Sequence, residues 1–291
     1  MGLDSEHVHK PVRKLRKLLK KMPRQPTPEH VHQLRTNSRR LETMLESLAL
    51  DRREHRLLKG IAKIRRKAGG VRDMDVLIGY VPGVRNNGRE ECRVRLLEHL
   101  GDTRRKEAKK LYTVAARKRK QVRAALKRVD RRLEKSLCEK QGRRCDSGTT
   151  RSQATAAALV LESQLMQPNR LTRQNLHPYR LKVKELQNVL RLGEGSENQE
   201  FLKALGVVKQ AIGEWHDWEE LRGIAEEVLH NGSECELIRE IRNLCQQKYE
   251  KALAQSHRMR EKYLKISSTK GGHAFRHAAN PVWEATAVLA S

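Results

Sequence analysis

Along most of this chain apolar residues recur three and four positions apart, the spacing that lines one side of an α-helix, and β-branched alternation is nearly absent. Val12, Leu15, Leu19 and Met22 predict a first helix that stops before Pro23. Pro26 and Pro28 then lead into a second helix on Val31, Leu34, Leu41 and Leu45. A third is marked by Leu57, Ile61 and Ile64. Gly69 and Gly70 predict its interruption, with Asp73 as the N-cap of a fresh start over Met74 to Tyr80. Gly213 and Asp217 predict the same break before Trp218, and Asp217 and Glu220 have capping-box spacing. The fold class expected is all-α.

The pattern repeats. Val31, Leu34, Ser38, Leu41 and Leu45 match Leu176, Tyr179, Val183, Leu186 and Leu190 at an offset of 145, and Gly69 and Asp73 match Gly213 and Asp217 at 144. Two motifs in the same order imply an internal duplication. Two four-helix bundles related by a pseudo-two-fold follow, over 5–137 and 153–265, with a polar linker at 138–152. The tail, 266–291, has no assigned role.

The same duplicated helix carries a second stripe. His32, Arg35 and Arg39 stand at i, i+3 and i+7, as do His177, Arg180 and Lys184. At 100° per residue these side chains fall within about 60° of one another. Arg40 adds a cation to the first copy, and Glu185 takes the matching place in the second, which would weaken that stripe. Either stripe alone is equally well read as a solvated helix face, and their repetition favours binding.

Composition sharpens the picture. The 62 Lys and Arg against 35 Asp and Glu give +27, which calls for a polyanionic partner. Two Phe, five Tyr and three Trp are too few for the stacking platforms that hold single-stranded nucleic acid. Further candidate contacts are Lys10, Arg13, Lys17 and Lys20 on the first helix and Arg105, Lys109 and Lys120 in the basic stretch 104–128, all competing with a merely solubilising role. The five cysteines are odd in number and lack metal-ligand spacing, which suits a reducing compartment such as the cytoplasm. No segment reaches the ~18 apolar residues that span a bilayer, so no membrane association is expected.

The His-x-x-Arg-x-x-x-Arg-Arg motif at His32 to Arg40, the run from Gly70 to Leu77 and the echo at Leu176 to Arg180 together resemble the CHAD family, the conserved histidine α-helical domain. That resemblance implies two four-helix bundles around a basic central cavity and non-enzymatic binding of inorganic polyphosphate, in association with polyphosphate granules. It places the binding cations at His32, Arg35, Arg39, Arg40, His177, Arg180 and Lys184. No cofactor or metal is expected. Two alternatives stay open: phosphoryl transfer through His32 or His177, or metal-dependent hydrolysis at Asp73 and Asp217, and nonspecific binding to nucleic-acid backbones. Capping is the preferred reading of Asp73 and Asp217. Imidazoles in the stripes predict tighter binding on mild acidification.

Overall fold

The computed structural model describes residues 5–46, 52–85, 90–139, 158–190, 199–229 and 235–264. Among them eight α-helices and one short 3-10 turn account for the regular structure, and there is no strand. The helices are α1 Ser5–Lys20, α2 Pro28–Glu46, α3 Arg52–Tyr80, α4 Glu90–Glu139, α5 at 158–166, α6 Arg173–Leu190, α7 Gln199–Val228 and α8 Glu236–Tyr263. The expected linker lies outside the described residues beyond 139, as does the whole tail.

The repeated apolar stripe is buried at both of its occurrences. Val31, Leu34, Ser38, Leu41 and Leu45 are at most 2% exposed, and Leu176, Tyr179, Val183, Leu186 and Leu190 at most 5%. Each aliphatic side chain among them contributes on the order of 1.5–3 kcal/mol by leaving water, enough to decide the face a helix turns inward. Ser38, the polar member, donates its hydroxyl to the Leu34 carbonyl and so is satisfied within its own helix.

Two apolar clusters result. The first joins Val12 and Leu15 of α1, Leu34 of α2, Ile61 and Ile64 of α3, and Leu111 and Leu126 of α4. The second joins Leu165, Leu176, Val183, Leu205, Leu221 and Leu237 from α5 to α8. It also takes Met74 and Leu77 from the end of α3 and Leu96 and Leu100 from the start of α4, so the tip of the α3–α4 hairpin packs into the second cluster. There the Tyr80 ring stacks on Trp218 of α7, with centroids 4.9 Å apart and planes 3° off parallel.

The expected breaks at the glycines do not occur. α3 runs unbroken through Gly69 and Gly70, and α7 through Gly213. A glycine inside a helix costs about 1 kcal/mol relative to alanine. Burial of Ala68 and Val71 beside the first pair, and of Ile212 and Trp215 beside the second, outweighs that. Asp73 and Asp217 are therefore not N-caps but mid-helix carboxylates with no helix end to serve.

Buried polar groups fasten the outer helices. His9 Nδ1 and Arg16 Nη1 meet the Asp130 carboxylate at 2.7 and 3.3 Å, tying α1 to α4. Arg104 of α4 binds the Asp75 carboxylate at 2.6 Å and donates to the Pro26 carbonyl between α1 and α2 at 2.7 Å. Arg260 of α8, 1% exposed, donates to the Pro168 carbonyl between α5 and α6 at 2.6 Å, the same device in the second set of helices.

Candidate polyanion-binding site

The glycines that fail to break their helices make room for arginines. A Cβ on Gly69 would come within 2.8 Å of an Arg35 guanidinium nitrogen, and one on Gly213 within 3.1 Å of Arg180 Nη2. Arg35 thus brings its guanidinium end against α3 and Arg180 the Nε–Nη2 edge of its guanidinium against α7, where Asp73 and Asp217 attract them. Arg180 Nε donates to the Lys209 carbonyl at 3.1 Å. Burial, opposed by attraction to Asp73, lowers the affinity of Arg35 for its proton; Arg180 is lowered in the same way, with Asp217 opposing.

A second contact recurs at the same offsets. Arg65 of α3 donates to the Glu42 carboxylate of α2 at 2.9 Å, and Lys209 of α7 donates to the Gln187 amide oxygen of α6 at 2.6 Å. Glu42 and Gln187 are 145 apart, Arg65 and Lys209 144. The chemistry differs, however. Glu42 is a charged partner for Arg65, whereas Gln187 is a neutral partner for Lys209. Glu185 is exposed, and the charges acting on Lys184 are all positive.

The stripes converge. After burial, the largest influence lowering the Lys184 pKa is Arg39 of α2, followed by Arg180, Arg65 and Lys209. Arg39 also acts on Arg180. Cations from α2, α3, α6 and α7 therefore share one neighbourhood, most of them partly buried, where desolvation strengthens both their mutual repulsion and their hold on an anion.

Acids and imidazoles lie in the same place. Burial raises the pKa of Asp73 above the usual carboxylate range against the opposing Arg35 and Arg72, and raises Asp217 likewise against His216 and Arg180. The charge of Asp73 adds to the rise at Asp217, and Glu220 is raised by burial and by Asp73. Tyr80 donates its hydroxyl to Asp217, and burial together with Asp217 pushes its pKa up to about 12. The rings of His177 and His216 lie 4.4 Å apart. Burial, His216 and Arg180 lower the pKa of His177. Among the described residues no group of three or more His, Cys, Asp or Glu is arranged to hold a metal ion.

Of the residues singled out by sequence, Arg35, Arg39, His177, Arg180 and Lys184 belong to this cluster. His32 and Arg40 are exposed on α2, and no described contact ties them to it. Lys10, Lys17 and Lys20 are exposed on α1, while Arg13 stands 3.9 Å from Asp130. Arg105 is exposed and paired with Asp102, and Lys109 and Lys120 are exposed along α4. Arg65 and Lys209 escaped the sequence reading, although the 144-residue offset that linked the glycines links them too.

No described helix is long and apolar enough to cross a membrane. The model of the CHAD domain family matches residues 6–264. A crystal structure of the CHAD domain from the plant Ricinus communis is similar over 90% of this chain and 93% of that one, with a TM-score of 0.60 and 18% identity, which is a likeness of fold. No curated protein matches the chain.

Proposed function

The chain belongs to the CHAD family, and on that premise we propose that it binds inorganic polyphosphate without transforming it. In this reading α1 to α4 and α5 to α8 form two bundles related by an internal pseudo-two-fold, and the guest lies in a basic cavity between α2, α3, α6 and α7. The matched pairs Arg35 with Gly69 and Arg180 with Gly213 support that symmetry. The observation that carries the reading is the approach of Arg39 to Arg180 and Lys184 across the two copies. Like charges gathered and partly desolvated destabilise a fold unless an anion offsets them. A flexible phosphate chain without base edges asks only for many charge-assisted bonds, which Arg and Lys supply.

Binding rather than catalysis is proposed because Asp73 and Asp217 each stand beside an arginine and, among the described residues, no nucleophile, base and orienting group line up. The cellular role proposed is to target or organise polyphosphate granules in the cytoplasm. Arg39→Glu combined with Lys184→Glu should weaken polyphosphate binding on the order of a hundredfold in interferometry, as charge-assisted contacts become repulsive. Unchanged affinity with an unchanged helical circular dichroism spectrum overturns the proposal. Equal affinity for RNA or DNA at matched salt would favour the nucleic-acid alternative. Shortening of polyphosphate incubated with the protein and divalent metals would establish an enzyme instead.

A further inference from the structure

The far side of α3 carries a groove that the cluster above does not touch. It has a volume of about 280 Å³ and lies between α3 and α4. Its floor includes Leu57, Gly60 and Val122. A Cβ on Gly60 would stand 3.3 Å from Val122 Cγ2, so the missing side chain lets the two helices close up there. Gly60 and Gly69 are nine residues apart, which at 100° per residue puts them on opposite sides of α3. A guest in the groove cannot reach the Arg35 and Arg180 cluster from the same seat.

Two cationic ridges face each other across this floor. Arg56, Lys59 and Lys63 line it from α3, Lys118 and Arg128 from α4, and no acidic side chain lines it. These five make no ion pair or hydrogen bond among the described residues, in contrast to Arg104, Arg105, Arg132 and Arg16 on neighbouring stretches, which are all paired with carboxylates. From Lys118 to Arg128 the α4 ridge runs about 15 Å at the helical rise.

We propose that this groove is a second, external binding site for a linear oligophosphate anion. The donors present fit that chemistry. A phosphoanhydride chain offers acceptors and no donors, and Lys and Arg offer donors and no acceptors. An acidic peptide would also present backbone amides, for which Gln121 alone among the lining side chains has an acceptor. Single-stranded nucleic acid would need aromatic platforms, and no aromatic residue lines the groove. Helices in contact stand about 8–10 Å apart, and the furrow between two such helices takes a single chain and not a duplex. The apolar floor lowers the local dielectric and strengthens each contact. The proposal uses the basic face of α4 and does not depend on the cluster between α2 and α6.

The test is calorimetric titration of the full chain with linear tripolyphosphate. The wild type should show two sites. Lys59→Gln with Lys63→Gln and Lys118→Gln, all at residues that leave the core untouched, should weaken one site on the order of tenfold or more and keep the helical circular dichroism signal. Arg39→Gln with Lys184→Gln should spare that site and weaken the other. If the triple variant titrates like the wild type, or the cluster variant alone abolishes all binding, the groove site is overturned. If the triple variant loses a site and the cluster variant changes nothing, the groove stands and the cavity reading fails. Displacement of tripolyphosphate by a single-stranded oligonucleotide of equal charge at equal concentration would overturn the ligand class.

Discussion

The guanidinium of Arg180 lies across the bare α-carbon of Gly213, 3.1 Å at Nη2 and 3.2 Å at Nε from where a Cβ would stand. Arg35 approaches Gly69 with a terminal nitrogen, Nη1, 2.8 Å from where its Cβ would stand. The glycine lowers helix propensity and makes room for the arginine. Gly213→Ala should therefore separate stability from binding. The substitution favours the helix by up to about 1 kcal/mol, and the guanidinium must shift by a few tenths of an ångström. Thermal melting should rise or hold while polyphosphate affinity falls several-fold; a fall in both would show that Gly213 serves packing alone.

The carboxylates of Asp73 and Asp217 oppose an anionic guest. Asp217→Asn removes a negative charge whose ionised form is already penalised by burial. Polyphosphate binding should tighten by about 1 kcal/mol or less, given the solvent access of the site. Weaker binding, measured by the same titration, would mean that the carboxylate acts chiefly to aim Arg180.

Acidification should tighten binding. His177 has a pKa below its ordinary 6.5, so it is largely neutral at pH 7, and a bound polyanion favours its protonation. Affinity should rise as pH falls through that lowered value and level off below it. Protonation of Asp73, Asp217 and Glu220, whose pKa values are raised, extends the gain at lower pH. Stability of the free protein runs the other way for His177: a group depressed in the fold contributes stability above its unfolded pKa that is lost as pH falls. The raised carboxylates contribute stability at low pH that is lost as pH rises through their folded values. Affinities between about pH 7.5 and 5.5 should flatten in His177→Gln.

Salt dependence should tell cluster residues from bystanders. Each phosphate-neutralising cation contributes about one unit to the slope of log affinity against log salt. Arg39→Gln and Lys184→Gln should each reduce that slope by about 1. Arg105→Gln should leave it unchanged, because that guanidinium is exposed and already paired with Asp102.

Asp130 anchors α1 through His9 and Arg16, with its side chain 11% exposed. Asp130→Ala leaves His9 without its partner and should cost about 3 kcal/mol in chemical denaturation, at the low end for a broken buried pair because Arg16 is partly solvated. Polyphosphate affinity of the folded fraction should be unchanged, since no described contact ties α1 to the cluster.

The sequence by itself determined the helices and their inward faces, because three-and-four spacing of Leu, Val and Ile leaves a helix only one way to bury its apolar side. It also put Arg35 and Arg180 at matching places of a repeated motif, visible before any folding. Gly69 and Gly213 were legible as special but misread as breaks: a glycine's local cost is known from sequence, while the packing that outweighs it is not. Only the tertiary structure decided that Asp73 and Asp217 sit mid-helix, that Arg39 acts on Lys184 across the fold, and that Lys209 bonds the neutral Gln187 where Arg65 bonds the charged Glu42. Those depend on distances between helices far apart in the chain, and electrostatic effects follow distance and burial, which periodicity does not encode.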